Sequence, residues 1–167
     1  MLYLYFMGLD INTSKGQLSL TQEREVQEIV SSKWKVDVIE TGKDSIAACD
    51  GFLSRNNVII ACFETKCRYD MTYEELLDRG SWLVTFDKIK KCQLVSKLLQ
   101  VPFIGFLYLL PKSNPEQKLL VYWKITDKQG NFVFDFEVMD QATQRTINGG
   151  ETVRRNAYLP VNEMVIL

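Results

Sequence analysis

Apolar residues recur along the chain in two periods, and the switches between them divide it into elements. From Thr21 to about Ser32, Val26, Ile29 and Val30 share one face at the spacing of an amphipathic helix, with Thr21 as its N-cap. Lys35 to Glu40 reads as a short strand with Val36 and Val38 on one side. Thr41-Gly42-Lys43-Asp44 predicts a turn, Ser45 to Leu53 a second strand, and Arg55-Asn56-Asn57 a hairpin turn. Val58 to Cys67 is a third strand; its first six residues are apolar on both faces, which places it at the centre of a sheet.

Thr72 and Glu75 have capping-box spacing, so a short helix starts there and ends near Gly80. Asp87 to Gln100 predicts a longer helix with Ile89, Cys92, Val95 and Leu99 buried and Lys88, Lys90, Lys91 and Lys97 around the remainder. Phe103 to Leu110 is a second fully apolar strand, and a helix between two such strands predicts a right-handed crossover to a parallel neighbour. Lys118 to Thr126 and the alternating Phe132 to Val138 read as further strands. Trp34, Trp82 and Trp123 read as core or interface residues, and the apolar run 81–86 as a cleft cover or a protomer contact. The order predicts an α/β fold, one mixed central sheet flanked by helices.

Length and composition narrow this picture. A chain of 167 residues argues for one domain, here 1–167, with a core at about 21–124 and a C-terminal extension at 125–167. Hydrophobic residues at 46% and charged residues at 25% are globular values and argue against disorder. With 20 basic and 21 acidic residues the net charge is −1, which excludes a uniformly basic nucleic-acid coat and leaves a local basic patch open. The chain has no His, which excludes imidazole acid–base catalysis, His metal ligands and a Ser-His-Asp triad. Cys49, Cys62, Cys67 and Cys92 lack metal or redox spacing and read as buried free thiols of a reducing compartment. Met1 to Met7 is apolar but too short for a signal peptide, and no run reaches the ~20 apolar residues of a membrane helix. A cytoplasmic protein, cellular or viral, is expected.

The candidate chemistry lies in Glu64-Thr65-Lys66. Strand alternation points Glu64 and Lys66 to one face of an otherwise apolar strand. Burying a polar group without a partner costs about 2–7 kcal/mol, so a salt bridge or a metal ion must compensate. Asp50, at the end of the neighbouring strand, is within a hairpin's reach of Glu64. Two carboxylates with open water positions form a hard-oxygen site suited to Mg²⁺ or Mn²⁺, which activates water and clamps a phosphate oxygen. A nearby Lys orients the nucleophile and offsets developing charge. Such a site hydrolyses phosphodiesters without a histidine.

Asp50, then Glu64-Thr65-Lys66, after a helix carrying Glu23, resembles the PD-(D/E)XK nuclease superfamily. Glu23-Arg24-Glu25-Val26 is similar to the first helix of archaeal Holliday-junction resolvases, and the resemblance spans about residues 21–124. It implies a restriction-endonuclease-like core and a Mg²⁺- or Mn²⁺-dependent nuclease acting on DNA, branched or junction DNA included. Asp50 and Glu64 would bind the metal, with the Thr65 carbonyl as a further ligand. Lys66 would position or activate the water, and Glu23 would approach the metal through water, with Glu25 as its substitute. Lys90 or Gln93 could contact the phosphate, with Lys91 among the helix lysines that attract DNA. A homodimer is the family expectation. Where the family places Pro before the Asp this chain has Cys49, and the segment 69–86 is longer than a minimal connection.

Plainer readings stand beside these. Glu64 and Lys66 as a surface pair would be worth at most about 1 kcal/mol. Glu23 also fits the ordinary preference of first turns for acids. The lysines from 88 to 97 fit a solvated helix face. Arg154-Arg155 with Tyr158 reads as a surface loop or an arm on a nucleic-acid backbone, and Asp135 and Glu137 as an exposed strand face or a second metal site. The rival functions are a catalytically inactive nucleic-acid-binding or structural protein on the same fold, and a different hydrolase or interaction module in which Glu64–Lys66 is only a salt bridge.

Overall fold

The structure, a computed structural model, describes residues 14–42, 47–145 and 151–167. Its first helix, α1 (Ser14–Trp34), lays Val26 and Val30 on the sheet and ends with Trp34 edge-on to Tyr122, 5.0 Å between ring centres. It begins before Thr21, which is no cap: its hydroxyl donates to the Gln17 carbonyl one turn back, at 3.0 Å. Leu18 in the first turns is 48% exposed, so no buried stripe announces the start.

Strands β1 (Asp37–Glu40), β2 (Gly51–Arg55) and β3 (Val58–Tyr69) form an antiparallel meander. Asn56 and Asn57 both have positive φ, 52° and 62°, the left-handed pair that a two-residue hairpin turn needs. The turn expected at 41–44 runs into 43–46, outside the described residues. Regular pairing of β2 starts at Gly51, later than the Ser45 read from sequence, because the carbonyls before it are taken from above. Ala47 O accepts from the Lys88 ammonium at 3.3 Å and Ala48 O from the Cys92 thiol at 3.2 Å.

The capping box of α2 (Tyr73–Arg79) is present: Glu75 N–H donates to Thr72 Oγ1 at 3.2 Å and Thr72 N–H to Glu75 Oε2 at 2.8 Å. Gly80 closes the helix in the left-handed region at φ 72°. Thr72→Ala is therefore expected to cost about 1 kcal/mol, read as a lower urea midpoint at unchanged slope; an unchanged midpoint would show that the cap contributes nothing.

The run 81–86 is mostly a strand, β4 (Ser81–Thr85), followed by α3 (Phe86–Leu99). Ile89, Cys92 and Ser96 make the buried stripe of α3, whereas Leu99, expected inside, is 44% exposed. Ser96 can be buried because its hydroxyl meets Val101 O at 2.6 Å and Thr126 Oγ1 at 2.7 Å. β5 (Phe103–Leu110) pairs parallel with β3, as the crossover pattern predicts, and β6 (Leu119–Lys124) pairs antiparallel with β5. Phe132 to Phe136 is not a strand. Only a bridge from Thr126 to Phe132 forms, and Phe132, Phe134 and Phe136 pack on one another around Phe136, at 4.9 and 6.3 Å. β7 (Glu137–Arg145) and β8 (Glu151–Pro160) then form a long hairpin, and β9 (Val165–Ile166) returns to β6.

The result is a six-stranded mixed sheet, β1-β2-β3-β5-β6-β9, and a three-stranded antiparallel sheet, β4-β8-β7. One face of the larger sheet is covered by α1 through Val26 and Val30. The other carries α3 through Ile89 and Cys92 and the smaller sheet through Trp82, Val84, Ala157 and Leu159. Trp123 crosses this second interface, its indole N–H donating to Pro160 O at 2.8 Å. Among the described residues no helix is long and apolar enough to cross a membrane.

Candidate active site

Asp50 stands just before β2 with its backbone held on both sides. Its N–H donates to Phe63 O, and its carbonyl accepts from Thr41 N–H, each at 3.0 Å. Gly51 lets the chain pass there: a Cβ at that position would lie 2.6 Å from Ile39 O and 2.7 Å from the Phe63 ring. The Asp50 carboxylate turns onto the neighbouring strand, where Oδ2 accepts from Thr65 N–H at 2.8 Å.

Glu64 and Lys66 project from β3 to the face that α3 and the smaller sheet cover. They border an apolar recess walled by Trp82, Phe103, Trp123 and Leu159. Opposite Glu64 on β5 is Gly105, where a Cβ would lie 2.9 Å from the Ile125 side chain that packs beside the recess. Glu64 is only 4% exposed, and Lys66 Nζ donates to its Oε1 at 2.7 Å. Burial pushes the Glu64 carboxyl above its usual range, with the Lys66 charge working against that shift. Burial pulls Lys66 down, but the charges of Glu64, Asp50 and Glu23 more than restore it, so its ammonium is held above the ordinary lysine value.

The fourth member of the cluster is Lys88, in the first turns of α3. Its ammonium lies 3.0 Å from Glu64 Oε2 and 3.7 Å from Asp50 Oδ1, so one cation bridges the two carboxylates. Against burial, those two charges hold Lys88 above its usual value. The contact with the buried Oε2 is a close ion pair. The sequence places Lys88 on the solvated side of its helix. The signal that marks it is its position beside Ile89 and one turn before Cys92, at the edge of the buried stripe.

Asp50, Glu64 and Lys66 are thus brought together from adjoining strands. Glu23 is half-buried on α1, and its charge reaches Lys66. Glu25 is committed elsewhere: its carboxylate pairs with Lys118 at 2.9 Å, and against burial Tyr108 and Lys118 hold it below the usual range. Lys90, Lys91 and Gln93 sit further round α3. Lys90 donates to Gln93 Oε1 at 2.7 Å, Gln93 donates to Gly130 O at 2.9 Å, and Lys91 pairs with Asp87 at 2.9 Å. Asp135 and Glu137 do not share a strand face, because Asp135 precedes β7. Arg154 and Arg155 lie on β8 rather than in a loop, and Arg155 pairs with Asp140 at 3.0 Å. The four cysteines are free, and burial pushes the Cys62 and Cys67 thiols up to about 12, so they stay protonated near neutrality.

Among the described residues no group of three or more His, Cys, Asp and Glu side chains is arranged to hold a metal ion. The donor set here is two carboxylates, Asp50 and Glu64. That number is enough for Mg²⁺, which keeps several waters and binds through one or two carboxylates. Glu64 Oε2 supplies a buried hard oxygen whose contact is the Lys88 ammonium at 3.0 Å. Scanned against protein-family models, the chain matches none, and a search among curated proteins returns no match.

Proposed function

We propose that this chain is a divalent-metal-dependent deoxyribonuclease with a restriction-endonuclease-like core of the PD-(D/E)XK type. The observation that carries the reading is the convergence of Asp50, Glu64 and Lys66 where β2 begins beside the middle of β3, anchored by the 2.8 Å and 2.7 Å hydrogen bonds described above. A helix, three meandering strands, a helix and a parallel strand surround it in the order the resemblance implies. Mg²⁺ or Mn²⁺ held by Asp50 and Glu64, with the Thr65 carbonyl as a further donor, would supply Lewis-acid activation of water and charge neutralisation at the phosphate.

The protein's own part is positioning and electrostatics. Thr65 N–H fixes the Asp50 carboxylate, and the apolar recess keeps Glu64 dry, which strengthens its attraction for any cation. Lys66 is 41% exposed, so its ammonium reaches solvent while bonded to Glu64. There it orients a water and offsets the negative charge that builds on phosphate oxygens during in-line attack. DNA is the proposed partner, branched or junction DNA included.

Incubating the protein with plasmid, linear, single-stranded and four-way-junction DNA, with Mg²⁺, with Mn²⁺ or with EDTA, tests the reading. Cutting of at least one substrate that needs the metal and is absent from Lys66→Ala is the expected result. No metal-dependent cutting of any of them would overturn it.

A specific observation favours a second reading. The two carboxylates already have two ammoniums as counter-charges, as in a non-catalytic protein that keeps the fold and uses the cluster as a salt-bridge network. On that reading Lys66→Ala lowers the melting temperature with no nuclease activity to lose.

A further inference from the structure

Four ion-paired side chains balance one another, with the Glu23 charge reaching Lys66 from α1. Asp50 and Glu64 contribute two negative charges, and Lys66 and Lys88 two positive ones. Within the cluster the labour is divided. Lys66 takes Glu64 Oε1, whereas Lys88 bridges Glu64 Oε2 at 3.0 Å and Asp50 Oδ1 at 3.7 Å, one oxygen from each carboxylate. Those two are also the oxygens a single divalent ion held by both residues would share. Oε2 is buried, and among the described residues the ammonium at 3.0 Å is the cation that compensates it.

We propose that Lys88 is an internal counter-cation that occupies the divalent-ion position in the metal-free protein and has to leave when the ion enters. It thereby sets the concentration at which the site loads. The inference rests on the metal-dependent reading above. An ammonium and a divalent ion cannot share two oxygens at these distances without strong repulsion. Adding the ion would set four positive charges against the three carboxylates Asp50, Glu64 and Glu23, so displacement of Lys88 restores the balance. An exit is available, because the Lys88 side chain is 25% exposed and is carried on the first turns of α3. What holds it in is the ion pair and its hydrogen bond to Ala47 O at 3.3 Å. Lys66, by contrast, keeps its contact with Oε1 in either state.

The test is Mn²⁺ titration calorimetry on the full chain at neutral pH, for the wild type, Lys88→Met and Glu64→Gln, with thermal unfolding in EDTA and in Mn²⁺. Met retains the apolar stem of Lys88 and removes its charge. Lys88→Met is expected to bind Mn²⁺ at least tenfold more tightly than the wild type, and to gain more melting temperature from the ion. Glu64→Gln is expected to bind none. Equal or weaker binding by Lys88→Met, beside a wild type that binds, overturns the counter-cation role and leaves the metal reading standing. Absence of binding by both proteins overturns the two together. Should Lys88→Met fail to fold, Lys88→Gln retains a donor for the Ala47 carbonyl and carries the same comparison.

Discussion

If the protein is the proposed nuclease, Glu64→Gln is expected to lower its metal-dependent DNA cleavage by about three orders of magnitude or more while the protein stays folded. A thousandfold loss corresponds to about 4 kcal/mol of transition-state stabilisation, within what one metal ligand or electrostatic stabiliser supplies. The amide matches the carboxylate in shape, so the apolar recess around position 64 keeps its packing. It brings no charge into a site that is only 4% exposed, and the two ammoniums it releases are both partly exposed. Initial cleavage rates on the substrate the wild type cuts best, beside circular dichroism of the variant, separate lost chemistry from lost fold. Activity within tenfold of wild type in a folded Glu64→Gln would remove this carboxylate from the chemistry.

The second large effect concerns stability. In EDTA at neutral pH, Lys66→Met combined with Lys88→Met is expected to cost about 3 kcal/mol. That is the low end for orphaning a buried charge, because Lys66 is 41% exposed and water already screens part of its contribution. The pH dependence identifies the group. Burial raises the Glu64 carboxyl above 4.5, so its neutral form favours folding below about that pH, and this contribution is lost as pH rises through the folded value. Without its ammoniums that folded value climbs further. The deficit of the double variant is therefore expected to shrink on acidification.

At the alkaline end the lysines act with the same sign. Lys66 and Lys88 are held above 10.5, so their contribution is complete below that pH and lost as pH rises through their folded values. The wild type is expected to lose stability there, and the double variant is not. Adding Glu64→Gln to the double variant is expected to recover most of the loss. Urea unfolding from acid to alkaline pH provides the measurement; a deficit that stays flat across the acid range would show that Glu64 is not the orphaned charge.

Much of this protein is written in local sequence. The unbroken apolar run from Val58 to Phe63 places β3 at the sheet centre, and Asn56-Asn57 sets its hairpin. Thr72 and Glu75 start α2, and the apolar strands on either side of α3 fix a parallel pair. Each depends on backbone preferences or alternation within a few residues, which is the range over which sequence period records structure. The meeting of Glu64 and Lys66 is of the same kind, since residues two apart on a strand must share a face.

Only the tertiary structure decided the rest. Whether a short apolar run such as Ser81–Thr85 joins the large sheet or a separate one with β8 depends on a partner some seventy residues away. The Phe132–Phe136 alternation forms an aromatic cluster instead of a strand, because among the described residues no partner strand runs beside it for more than one bridge. Lys88 looks like a solvated lysine until α3 is laid across β3 and β5. Its inward turn comes from the buried oxygens it meets there, and a long-range electrostatic demand of that kind leaves no mark on the helical period.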